Sequence, residues 1–229
     1  MARNKVSRKQ LLKEPDQFLS VSRRIFNWLL GHRLQILGGL GVLFAVIIIG
    51  SAVRYFGEKS EDSAFAAMQK GIEQYQKALE ADGPQKAWQT AEKDFQKIFD
   101  DYAGQNGGKL ARLAYANMAY RSGEFDTAVT LYQKTLEDFG DNSSLKNIIL
   151  SNLAYASEGK KDYAAALRYF EQITTGPDSL MKGDAFFHLG RLYAQTDDKA
   201  RSRAAFEKLM ADYPDSVYIE LVKEAVAGS

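Results

Sequence analysis

Cysteine is absent from this 229-residue chain, histidine occurs twice and proline four times. The missing thiols exclude disulfides, thiol catalysis, cysteine-ligated zinc and a lipid anchor on an N-terminal cysteine. They leave the redox compartment open. His32 and His188 lie far apart, and His188, inside AFFHLGRLY, reads as a satisfied or half-exposed helix histidine and not a catalytic one. No glycine-rich phosphate loop occurs, because Gly38, Gly39 and Gly41 fall inside an apolar run. Asp100 with Asp101, and Asp197 with Asp198, sit where helix ends or turns are expected. No calcium loop of alternating oxygen donors is present. No cofactor or metal is expected, and the chain does not read as an enzyme.

Charge is also short in one place. Residues 34–53, LQILGGLGVLFAVIIIGSAV, carry none and are fenced by Arg33 and Arg54. At about 1.5 Å per residue, twenty helical residues cover roughly 30 Å, the hydrocarbon thickness of a bilayer. Twelve of the twenty are Leu, Ile, Val or Phe, enough to favour insertion by several kcal/mol. A cleaved signal peptide is the rival reading, with small residues at Gly50, Ser51 and Ala52. The 33 residues ahead of the run and its length favour an uncleaved anchor. Gly38, Gly41 and Ala45 offer a close approach to another membrane helix.

The formal net charge of +1 hides an asymmetry: residues 1–33 sum to +6 and the rest to −5. Eight basic residues precede the span, whereas residues 54–73 hold only Arg54, Lys59 and Lys70. The positive-inside rule places the N-terminus in the cytoplasm and the body outside. The basic charge lies on the tail and not on the folded body, so nucleic acid is not an expected partner. Before the span, Asp16 after Pro15 is a candidate cap for a short helix. Phe18, Ser22, Ile25, Phe26 and Leu29 share one face of it, with Gln17, Arg23, Arg24 and Asn27 opposite. Such a helix suits the headgroup layer, with Trp28 at the interface, or a docking partner. Membrane lipids are accordingly expected partners of residues 16–54.

Behind the span the period is helical, beginning with Phe65, Met68, Ile72, Tyr75 and Leu79 and stopped at Pro84. Four segments then repeat an aromatic with a smaller residue three positions on: Phe95/Ile98, Tyr132/Thr135, Phe170/Ile173 and Phe206/Leu209. Their aromatics are spaced by 37, 38 and 36 residues, with breakers at residues 104–108, 140–144 and 176–178. That period signals a solenoid of helical hairpins.

The finer pattern resembles the tetratricopeptide repeat. Ala116, Ala128 and Tyr132 fit it, with Gly123 and Phe125 at the turn. Ala154, Tyr163, Ala166 and Phe170 fit again, and Leu189, Gly190, Tyr193, Ser202, Phe206, Leu209 and Pro214 give a third copy. Thr135 and Gly140 replace the usual alanine and proline, and Lys199 stands at an aromatic position. The expected fold is therefore all-α: one transmembrane helix, about three to four hairpins and a capping helix. The expected domains are a basic tail (1–33), the span (34–53) and a repeat domain (54–229) whose first repeat, residues 60–102, is degenerate. Residues 215–227 are expected to cap the end, with Val217, Leu221 and Val222 on one side.

Tail, anchor, spacer and degenerate repeats in this order resemble the bacterial YfgM-like proteins. The resemblance implies a single-pass protein of the inner membrane whose repeat domain lies in the periplasm. It implies an ancillary, chaperone-like role at the Sec translocon, with translocon subunits, membrane-anchored folding factors and exported clients as partners. It carries over no active site. An envelope scaffold for cell division or cell-wall assembly is the alternative. In tetratricopeptide domains the concave face is lined by the first helix of each hairpin, which nominates Asn117, Tyr120, Arg121, Tyr155, Arg191 and Gln195 as partner-binding residues.

Overall fold

In a computed structural model the described residues are 17–227, and among them every regular element is a helix. The Asp16 cap lies outside them. The order is α1 (Gln17–Gly31), α2 (Arg33–Asp82), α3 (Pro84–Asp101), α4 (Asn106–Arg121), α5 (Phe125–Phe139), α6 (Ser143–Gly159), α7 (Tyr163–Thr175), α8 (Lys182–Gln195), α9 (Lys199–Asp212) and α10 (Ile219–Ala227). The chain divides into two compact units at Glu58/Lys59, a boundary inside α2.

In the first unit, α1 exposes Val21, Ile25, Phe26, Trp28 and Leu29. Helix α2 is long and apolar enough to cross a membrane, and its apolar window is unburied. The helix does not stop where the apolar run stops: no proline follows Val53 until Pro84, and the helix runs on through Gly57 and Gly71 to Asp82. Gly83, at φ 82, takes the left-handed turn and Pro84 starts α3, where its missing N–H costs nothing.

The second unit stacks four hairpins: residues 59–82 with α3, then α4/α5, α6/α7 and α8/α9. The last three share one turn. Gly123, Lys161 and Asp197 are left-handed, and the next residue's N–H reaches back to Ala119, Ser157 and Tyr193 carbonyls at 2.9, 2.9 and 2.8 Å. These are the 6→1 bonds of a Schellman ending. Asp162 and Asp198 then cap α7 and α9, accepting from Ala165 and Arg201 N–H, and Asn142 caps α6.

Within each hairpin a small residue faces an aromatic ring. A Cβ on Gly190 would meet the Phe206 ring at 2.3 Å, and one on Gly71 would meet Phe95 at 3.0 Å. Ala116 with Tyr132, and Ala154 with Phe170, are buried in the two hairpins between. The first repeat is therefore a stretched one. From Gly71 to Phe95 is 24 positions, against 16 from Ala116 to Tyr132, so each arm is about one helical turn longer. Its turn aromatic is Trp88, three before Ala91 as Phe125 is three before Ala128.

Two sequence expectations change. The glycines of residues 104–108 include helix-starting residues: Asn106 and Gly107 N–H donate to the two carboxylate oxygens of Glu61 at 3.0 and 2.8 Å. A Cβ on Gly107 would lie 2.7 Å from the Phe65 backbone nitrogen, and one on Gly108 1.9 Å from the Tyr102 carbonyl oxygen. Gly107 lets α2 abut the start of α4, and Gly108 makes room for the preceding turn at Tyr102. The terminal cap is shorter than residues 215–227, beginning at Ile219. Val222 is buried, but Val217 and Leu221 are 85% and 57% exposed. Tyr218, Ile219 and Val226 supply the packing against Phe206 and Leu209 instead.

Glu61→Ala removes a carboxylate that satisfies two orphan amides at a helix N-terminus, so it should cost about 1–2 kcal/mol. Gly107→Val should cost more, because backbone stands in its way. Lys59→Ala, on an exposed position, should stay within about 0.5 kcal/mol. Equilibrium urea unfolding followed by circular dichroism measures all three.

Candidate functional site

Side chains on the first helices touch one another across neighbouring hairpins, which defines a shared face over α4, α6 and α8. The contacts between hairpins span 33 to 35 positions, slightly less than one repeat. Asn117 Oδ1 accepts from Tyr132 Oη at 2.7 Å and from Asn152 Nδ2 at 3.4 Å, joining α4, α5 and α6. Tyr155 Oη meets His188 Nε2 at 3.0 Å, and Arg191 donates to Glu158 Oε2 at 2.6 Å, joining α6 to α8.

His188 is the centre of an aromatic cluster. Its ring stacks on Phe170 at 5.1 Å and lies edge-on to Tyr155, Phe187 and Tyr218. Phe187 in turn stacks on Tyr218 at 4.0 Å. His188 Nδ1 faces Arg191 at 3.5 Å. A guanidinium only donates, so Nδ1 accepts, and the neutral ring carries its proton on Nε2 and donates it to Tyr155. Burial among the rings, aided by Arg191 and opposed by Glu158, pulls the imidazole down to about 4.

The nominated residues have different situations. Tyr120 is 36% exposed with its ring edge-on to Phe125 at 5.6 Å, and burial near Glu158 raises its hydroxyl. Arg121 is exposed, closes α4 and makes no ion pair among the described residues. Tyr155 is the hub, its hydroxyl raised by burial. Arg191 is not a free cation, since Glu158 neutralises it and holds its guanidinium above its ordinary range. Gln195 ends α8, exposed, and joins none of these contacts. Sequence reasoning missed Asn152, Glu158, Asp184, Phe187 and Tyr218; it reads His188 as a satisfied or half-exposed helix histidine but does not place it on this face. Polar or aromatic residues 33 to 35 positions apart, just under the repeat, were the available signal. Asp184, in the first turn of α8, is half-buried, and burial raises its carboxyl. No group of side chains suited to hold a metal ion occurs among the described residues.

Small residues, turn aromatics and paired first helices together are those of a helical-repeat protein that presents one continuous face. The chain belongs to the tetratricopeptide repeat-like domain family, whose model matches residues 35–223 and so takes in most of the apolar run as well as the hairpins. Among solved structures it is similar to a tetratricopeptide repeat protein from Parabacteroides merdae, at a TM-score of 0.55 and 16% identity over 69% of this chain and 58% of that one. The chain thus spans under two thirds of that neighbour's length. It is also similar to BtubC from P. vanneervenii, at a TM-score of 0.46 and 18% identity over 70% of this chain and 74% of that one. No curated protein matches.

The linkage at His188 has a definite sign. Its folded value, about 4, lies below the ordinary 6.5, so the unfolded chain binds more protons between the two. Stability from this site is present above pH 6.5 and is lost as pH falls toward 4. The loss should reach about 2 kcal/mol, below the full linkage value because the ring is part-exposed. Urea unfolding of wild type and His188→Phe between pH 7 and 4.5 should show their difference shrinking or reversing in that window.

Proposed function

We propose that this protein is a membrane-anchored, non-catalytic interaction scaffold that holds partner or client proteins on the first-helix face of its repeat domain. The observation that carries the reading is the continuity of that face. Tyr120, Tyr155, Phe187 and Tyr218 bring aromatic surface from three successive hairpins and the terminal turn, interleaved with polar groups. Tyr and Arg are the residue types that most often dominate interface energy. Family membership supports the same class, since stacked tetratricopeptide hairpins serve as protein-binding surfaces.

The anchor is residues 34–53, a span supported by the length and apolarity of α2. With eight basic residues before it and three soon after, the N-terminus lies in the cytoplasm and residues 54–229 outside, in the periplasm of a bacterial inner membrane. Helix α1, with exposed Val21, Ile25, Trp28 and Leu29 on one side and Arg23 and Arg24 at the edges of the other, lies in an anionic headgroup layer. Tethering raises the effective concentration of the face near membrane partners, so a weak groove is still occupied. The partners on this reading are translocon subunits, membrane-anchored folding factors or exported chains.

Two measurements test it. A periplasm-active reporter should work when fused after Ser229 and fail when fused at the N-terminus; the reverse pattern would sink the orientation. Photocrosslinkers at Tyr120, Arg121 and Gln195 should capture translocon subunits or exported proteins, and one at Lys208 on α9 should not. Capture of cell-wall or division proteins alone would replace the export reading with an envelope scaffold.

A further inference from the structure

Toward the two ends of the first-helix face stand single charges of opposite sign, and between them an arginine and a glutamate neutralise each other. Arg121 stands at one end, exposed and without an ion pair among the described residues. Between the ends Glu158 and Arg191 cancel, and the floor is Tyr120, Tyr155, Phe187 and the neutral His188. Asp184 stands at the other end, half-buried, with no hydrogen bond or ion pair among the described residues. It borders a recess of about 510 Å³ lined also by Leu180, Met181, Tyr213, Val217 and Asp215. A half-buried, unpaired carboxylate is costly, and an incoming cation relieves that cost. The apolar walls beside it suit the aliphatic stem of a lysine or arginine. Tyr155 lies within electrostatic range of both Tyr120 and Asp184, on the path between the ends.

We infer that the face takes an extended segment in one polarity, its acidic end at Arg121, an apolar or aromatic centre over Tyr155, and its basic end at Asp184. The inference rests on the reading of this face as the partner site. Its length follows from geometry. From α4 to α8 is two helix-to-helix steps of about 8–10 Å each. Arg121 ends its helix while Asp184 begins its own, adding roughly 16 Å along the axis. The diagonal of about 25 Å is covered by seven or eight extended residues at about 3.3 Å each.

The test uses the full chain in nanodiscs of neutral phosphatidylcholine and ten-residue peptides with two Glu at one end, two Lys at the other and a Leu/Tyr centre. A benzophenone at the acidic end should label α4 and leave α8 and the Tyr218 turn unlabelled. In the double variant R121E/D184R the label should move to the α8 end. Arg121→Glu alone, and Asp184→Asn alone, should each weaken binding by about fivefold, the reach of one part-exposed ion pair. Circular dichroism melts establish that each variant is folded, and the Asn variant carries the test where the Arg variant is not. Equal labelling of both ends, or affinity indifferent to Asp184→Asn, would overturn the polarity and leave the face as a partner site. Label nowhere on α4, α6 or α8 would overturn the face itself, and the polarity with it.

Discussion

A small residue pressed against an aromatic ring is the constraint on which the second unit depends. At Gly190 the Phe206 ring occupies the volume a methyl group would need, and at Gly159 the Phe125 ring does the same from the neighbouring hairpin. Close-packed interiors do not absorb such an overlap by yielding evenly. Helices can approach closely only where side chains shrink, and the ring then fixes how far each hairpin leans on the next. The side-by-side alignment of the first helices, and with it the pairing of Tyr155 with His188 and Glu158 with Arg191, follows from that spacing.

Those polar contacts stabilise little in themselves. Glu158 and Arg191 are part-exposed, and such pairs contribute about 1 kcal/mol or less. Their consequence is electrostatic: they silence the charges in the middle of the face. Of the two arginines nominated on this face, Arg191 is therefore paired with Glu158, and Arg121 has no ion pair among the described residues. Burial acts the same way on His188, which stays neutral because its rings desolvate it more than Glu158 attracts a proton. Of the charged residues named on this face, Arg121 and Asp184, toward its two ends, are without an ion pair among the described residues.

Much of the fold was legible because its signals are local and periodic. Ala116, Ala128 and Tyr132, and their counterparts at 154, 166 and 170, recur at fixed offsets that helix geometry imposes. The first hairpin, expected over residues 60–102, was legible only as a degenerate repeat, because its offset is stretched by two helical turns and Gly71 and Trp88 fall out of register though they play the same parts. The glycines at 107 and 108 resembled a linker, since nothing local says that α2 crosses there and that Glu61, 46 positions earlier, supplies the helix cap. The terminal helix was drawn too long because Val217 is apolar, yet in three dimensions it faces outward. The binding face was the least legible part. Its neighbours are set by stacking, and whether an arginine is paired depends on a glutamate one hairpin away.

The first hairpin requires that residues 59–82 be a packed repeat helix and not a spacer behind the apolar run. Hydrogen–deuterium exchange of the full chain in nanodiscs, read by mass spectrometry, tests this most directly. Amides of residues 62–80 should be protected to a degree comparable with those of α4 and α6, by orders of magnitude over an unpacked helix in water. Rapid exchange through residues 62–80 beside protected α4 and α6 would contradict it, leaving a three-hairpin solenoid on a flexible stalk.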